Sequence, residues 1–102
     1  MKGSEKQVRW AEEIKNNVVS SFEKFAEDIK AFDAPEEIKA ANIAGCKERI
    51  DALNAAEYAG DIIDLFKDIR FTGSNETDFP KVMAIYNTTR PNTDGQKKIL
   101  CK

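Results

Sequence analysis

From Val8 to Phe32 the chain places apolar side chains at positions 8, 11, 14, 18, 22, 25, 29 and 32, three or four residues apart, with no glycine or proline between them. That spacing is the period of an α-helix with one buried face. Just upstream, Ser4 and Gln7 have the S-x-x-Q spacing of a capping box, in which each side chain satisfies a backbone N–H left open at a helix start. The reading is a first helix over about residues 5–32, a rod of roughly 42 Å at about 1.5 Å per residue. Every other element must pack along it.

Pro35 drives Ala34 out of the helical region, so a second helix is expected over about 35–53, capped by Asp33 or Ala34. Ile43, Cys46, Ile50 and Leu53 share one of its faces, while Ala40, Ala41, Ala44 and Gly45 keep it slim enough for close approach to a neighbour. Asn54 with Glu57 repeats a cap spacing, which suggests a break before a third helix over about 55–70. Tyr58, Ala59, Ile62, Ile63, Leu65, Phe66 and Ile69 give that helix a broad apolar face. The stretch "TGSNETD" at 72–78 is turn-rich, and a fourth helix is expected over about 79–88 with Phe79, Val82, Met83 and Tyr86 inward. Residues 89–102 contain Pro91 and an Asp-Gly turn signal, and read as an irregular tail. A hairpin there would have no sheet to join. The expected fold is all-α, a single four-helix domain over residues 1–102 with one long N-terminal helix.

With 102 residues, 41% apolar and 33% charged, the chain is large enough to bury a core without metal or disulfide support. No apolar run approaches the roughly 20 residues of a membrane span, and "MKGSEKQ" lacks the apolar region of a signal peptide, so a cytoplasmic protein is expected. In that compartment Cys46 and Cys101 read as free thiols. Their use as half of a zinc site would need carboxylates or a second chain to complete it. The absence of histidine removes His-dependent triads, His-containing zinc sites and metalloprotease motifs. The five glycines are scattered, so no phosphate-cradling loop is present. The expectation is a protein without enzymatic activity, cofactor or metal. The sequons at Asn75 and Asn87 read as chance matches, because glycosylation requires export.

The third helix carries the main functional signal. Glu57, Asp61, Asp64 and Asp68 fall at i, i+4, i+7 and i+11, within an arc of roughly 60° on one helix. Like charges at that spacing cost about 0.2–0.5 kcal/mol per pair, and no basic residue of the same helix shares the arc. The bland reading is a solvated face, or one matched by the basic tail. The sharper one is a docking surface for a basic partner, such as the nucleic-acid channel of an enzyme. One straight helix cannot wrap these carboxylates around a metal ion.

From Phe71 onward the bias reverses, with Lys81, Arg90, Lys97, Lys98 and Lys102 against Glu76, Asp78 and Asp94. Together with Arg70 on the third helix, Lys81, Arg90, Lys97 and Lys98 form a candidate nucleic-acid surface, though a modest one beside dedicated nucleic-acid domains. A third possibility is a structural module that self-associates through the long first helix. Trp10, the sole tryptophan, points roughly 80° off the centre of the first helix's apolar stripe. That border position suits sealing the core first and anchoring a partner second.

Gly3 to Gln7, followed by Trp10, Ala11 and Ile14, resembles a segment G-[ST]-x-K-Q-x-x-W-A-x-x-I that opens many small helical proteins encoded by phages, plasmids and integrative elements. The resemblance spans about a dozen residues and implies provenance rather than chemistry; it carries over no catalytic residue. Size and acidity also invite comparison with inhibitors of host defence enzymes, including anti-CRISPR proteins. The leading expectation is a non-enzymatic mobile-element protein that binds a host protein with a basic surface, using Glu57, Asp61, Asp64, Asp68 and Trp10. No membrane is involved in that reading.

Overall fold

The computed structural model describes residues 1–102. Its elements are α1 (Glu5–Lys30), α2 (Glu36–Asn54), α3 (Ala59–Phe66), α4 (Asn75–Thr88) and α5 (Asp94–Ile99). The fold is all-α, and the one β-type pairing is an isolated parallel bridge between Lys2 and Tyr58. No helix is long and apolar enough to cross a membrane.

The capping box forms as expected: Ser4 Oγ accepts the Gln7 N–H at 3.2 Å, and Gln7 Oε1 accepts the Ser4 N–H at 3.1 Å. α1 stops at Lys30 rather than Phe32, because the Ala31 N–H is shared between the Asp28 and Ile29 carbonyls and Phe32 N–H closes onto Ile29. Such three-residue closures tighten and end a helix. Pro35 stands at the N-cap of α2, not within its first turn.

α1 forms the spine, and Ala11, Ile14, Val18 and Phe22 run down its buried face. Phe22, 1% exposed, meets Phe79 and Tyr86 of α4 edge-on at 5.8 and 5.3 Å. Burying a side chain of this kind contributes about 1.5–3 kcal/mol. Leu53, Ile62, Phe66, Val82 and Ile99 bring all four other helices into the same core.

The third helix is much shorter than the 55–70 expected. Asn54 closes α2 instead of capping α3, and the following residues are drawn into extended pairing with the N-terminal arm. Lys2 N–H donates to Glu57 O at 2.7 Å, and Ala59 N–H donates to Lys2 O at 2.8 Å. At the other end the chain leaves the helix after Phe66, and Ile69 and Phe71 pack against the core from the connection.

α4 begins at Asn75, four residues before the expected start. The Asp78 carboxylate explains this, since it accepts the Thr72 N–H, the Thr72 hydroxyl and the Gly73 N–H at 2.9 to 3.1 Å. The loop is thereby tied to the first turns of the helix, with Gly73 at φ +86° making the turn. Pro80 lies inside α4 on an exposed side, so the Glu76 carbonyl that it leaves without a helical donor faces water.

The tail is ordered, which corrects the irregular segment expected over 89–102. Thr93 caps α5 by accepting the Gln96 N–H at 3.0 Å, while Gln96 Oε1 accepts the Asn92 N–H at 2.7 Å. Ile99 and Leu100 then enter the core at 1% and 3% exposure, a burial that supplies the free energy to order the segment.

Candidate functional site

The four carboxylates read as one stripe occupy four different environments. Asp64 alone lies exposed within α3. Glu57 is exposed but sits in the extended connection, and Asp68 is exposed beyond the end of the helix. Asp61 is 7% exposed and faces the tail, where Thr93 Oγ donates to its Oδ1 at 2.8 Å and Gln96 Nε2 reaches its backbone carbonyl at 3.4 Å. The shared face therefore does not exist as a continuous surface. Asp61 is a structural acceptor that holds α5.

The tail also meets Glu57. A depression of about 400 Å³ is lined by Glu57, Tyr58, Asp94, Gly95 and Lys98, among others. It sets Lys98 and Glu57 in the same recess, so the acidic character of that end is partly offset. All four ion pairs lie within α1 or α2 or at their ends, and none involves the α3 carboxylates. No group of three or more Cys, Asp or Glu side chains converges as a metal site would require.

The candidate cations spread over two helices and two connections. Arg70 is exposed before α4, and Lys81 on α4 donates to the Arg70 carbonyl at 3.3 Å, which brings these two residues together. Arg90 is exposed in the connection, while Lys97 and Lys98 are exposed on α5.

Trp10 remains 47% exposed. It stands at the border of the core, as its angular offset predicts, but it forms one wall of an open cleft instead of closing over the packing. The cleft holds about 220 Å³; Trp10, Glu13, Ile14 and Asn17 line it from α1, and Phe66, Lys67, Ile69 and Phe71 from the opposite side. Asp68 lies in the chain between two of those lining residues, and Asp64 one helical turn before it. Asp68 therefore lies on the segment that walls the Trp10 cleft, with Asp64 a turn before it, whereas Asp61 binds the tail and Glu57 shares a recess with it.

Both cysteines are free. Burial pushes the Cys46 and Cys101 thiols up from their ordinary value, away from the reactive thiolate form. Burial likewise raises the Tyr86 phenol, whose Oη has no hydrogen-bond partner; the Arg49 guanidinium lies 5.5 Å from the centre of its ring. No protein family, curated protein or solved structure matches the chain.

Proposed function

We propose that this chain is a non-enzymatic binding protein of a mobile element that inhibits a host nucleic-acid enzyme by occupying its basic surface. The half-exposed Trp10, facing Ile69 and Phe71 across an open cleft, carries the reading. A large amphipathic ring beside an open cleft with polar groups at its edge is the usual anchor of a protein interface. Glu13 on the cleft and Asp68 within the segment that forms its far wall, with Asp64 in the helix just before it, outnumber Lys67 of the same lining and leave an excess of negative charge around the anchor. Such an arrangement complements a groove lined by lysine and arginine. The proposed provenance rests on the resemblance of the N-terminal segment, Gly3 to Ile14, to the opening of phage and plasmid proteins.

The test is affinity capture from the host with the full chain as bait, followed by competition. The expected result is a nucleic-acid-binding protein that is released by an oligonucleotide and is not captured by the Trp10→Ser, Asp64→Ser, Asp68→Ser variant. A partner indifferent to both the oligonucleotide and the substitutions overturns the reading. Direct, steeply salt-dependent retention of the purified chain on oligonucleotides would instead favour a nucleic-acid-binding protein acting through Arg70, Lys81, Arg90, Lys97 and Lys98.

A further inference from the structure

We infer that the free end of the α1–α2 hairpin, carrying Phe32 and Ile38, is a second docking surface, and that its occupant is a basic amphipathic helix of a protein partner. The observations behind it are independent of the Trp10 cleft.

α4 packs along α1 and stops short of the free end of the hairpin. On α1 the covered face reaches Phe25, whose ring stacks on Phe79 of α4 at 4.2 Å. From α2 the Arg49 side chain reaches across to the Tyr86 ring of α4 and marks the side of α2 that faces it. Phe32 follows Phe25 by seven residues and meets its ring edge-on at 6.5 Å, so it continues the same side. Ile38 precedes Arg49 by eleven residues, a spacing that returns to the same helix face. Ile29, one turn beyond Phe25, is still covered at 2% exposure, but the side chains at the tip are not: Phe32 is 51% and Ile38 53% exposed. In α2 no residue from Glu36 to Gly45 is buried. The bare stretch of α2 is about 15 Å long, enough to take nearly three turns of another helix.

Phe32 is also held in place, because the ring chain through Phe25 and Phe79 ends on Phe22 in the core. A side chain that is already ordered adds little entropic cost on binding. Charge selects the occupant. Residues 23–41 hold six carboxylates and three lysines, an excess of three negative charges in a chain whose net charge is −2. Two of those lysines already have partners, Lys30 with Glu27 at 2.9 Å and Lys39 with Glu36 at 3.8 Å. A second copy would bring the same carboxylates against these, and an anionic membrane would be repelled. A helix with an apolar face flanked by lysine or arginine satisfies both the apolar side chains and the charge around them.

A synthetic helix with leucine on one face and lysine on the other is the probe, titrated into the isotope-labelled full chain and followed by amide shifts. The expected shifts are confined to Phe25 through Ala41, fade at high salt, and reflect an affinity about tenfold or more weaker in Phe32→Ser, Ile38→Ser. Both replaced side chains are half in water, and an unchanged melting temperature confirms that this variant folds. The Trp10→Ser, Asp64→Ser, Asp68→Ser variant should bind the probe like wild type, which separates this inference from the function proposed above. Shifts of similar size around Asp64 and Asp68, or full affinity in the Phe32, Ile38 variant, overturn it. So does a wild-type dimer in sedimentation that this variant converts to a monomer, because the occupant is then a second copy.

Discussion

Asp61 on α3 and Thr93 at the start of α5 lie thirty-two residues apart and share a 2.8 Å hydrogen bond that fastens the tail to the bundle. Gly95 packs against the same carboxylate so closely that a Cβ there would overlap Asp61 Oδ2. The carboxylate cannot swing away without losing Thr93. Gly95→Ala should therefore destabilise the fold by about 1–3 kcal/mol in urea denaturation, the usual range for overpacking. Asp61→Ala should cost about 1 kcal/mol through the lost hydrogen bond. In the Asp61→Ala background, Gly95→Ala should become much milder, because the obstructing atoms are gone. Strict additivity in this double-mutant cycle would contradict the contact.

Cys101 adopts φ +56° immediately after α5. Its N–H donates to Lys98 O at 3.2 Å and the Lys102 N–H donates to Lys97 O at 3.0 Å, the paired bonds of a Schellman ending. A left-handed residue at that position is ordinarily glycine, since a Cβ costs about 1–2 kcal/mol there. Cys101→Gly relieves this strain but enlarges the unfolded ensemble by up to about 1 kcal/mol. The net expectation is a gain of roughly 0.5–1 kcal/mol, seen as a higher melting temperature, whereas Cys101→Val should lower it.

Asp78 sets a pH dependence. Hydrogen bonds from the Thr72 backbone come first among the causes that hold its carboxyl below the ordinary value of 3.8, with further donors at the Thr72 hydroxyl and the Gly73 N–H and attraction from Lys81; burial opposes them. A depressed carboxyl contributes stability that is complete above its unfolded pKa and is lost as pH falls through the folded one. The stability gap between wild type and Asp78→Asn should thus be constant from neutrality to about pH 5 and should close below about pH 4. A gap that instead widened under acid would contradict the depressed carboxyl.

The long first helix was legible because its signals are local: a capping box and an unbroken period, both contained within one segment. α5 carries the same local signal, since Thr93 and Gln96 repeat the spacing of Ser4 and Gln7. It was obscured by the Asp-Gly pair between them, which also reads as a turn. The extent of α3 could not be read from its own residues, because the N-terminal arm takes Glu57 and Tyr58 into extended pairing from more than fifty positions away. The same non-local packing divides the carboxylates. Helical spacing places Asp61 beside Asp64, but only the docked tail decides that Asp61 turns inward.

Trp10 separates sealing from anchoring by its energetics. A tryptophan that closes a core loses about 3–5 kcal/mol on truncation to alanine. With 47% of its surface in water and an open cleft beside it, Trp10 should lose far less, about 1 kcal/mol, in urea denaturation of Trp10→Ala. As the sole tryptophan it reports on itself: its emission should be that of a solvent-accessible indole and should be quenched readily by iodide or acrylamide. Binding of a partner at the cleft should shift that emission to the blue and protect it from quencher. A cost in the sealing range, with emission already blue-shifted in the free chain, would return Trp10 to the core and remove the anchor from the proposed interface.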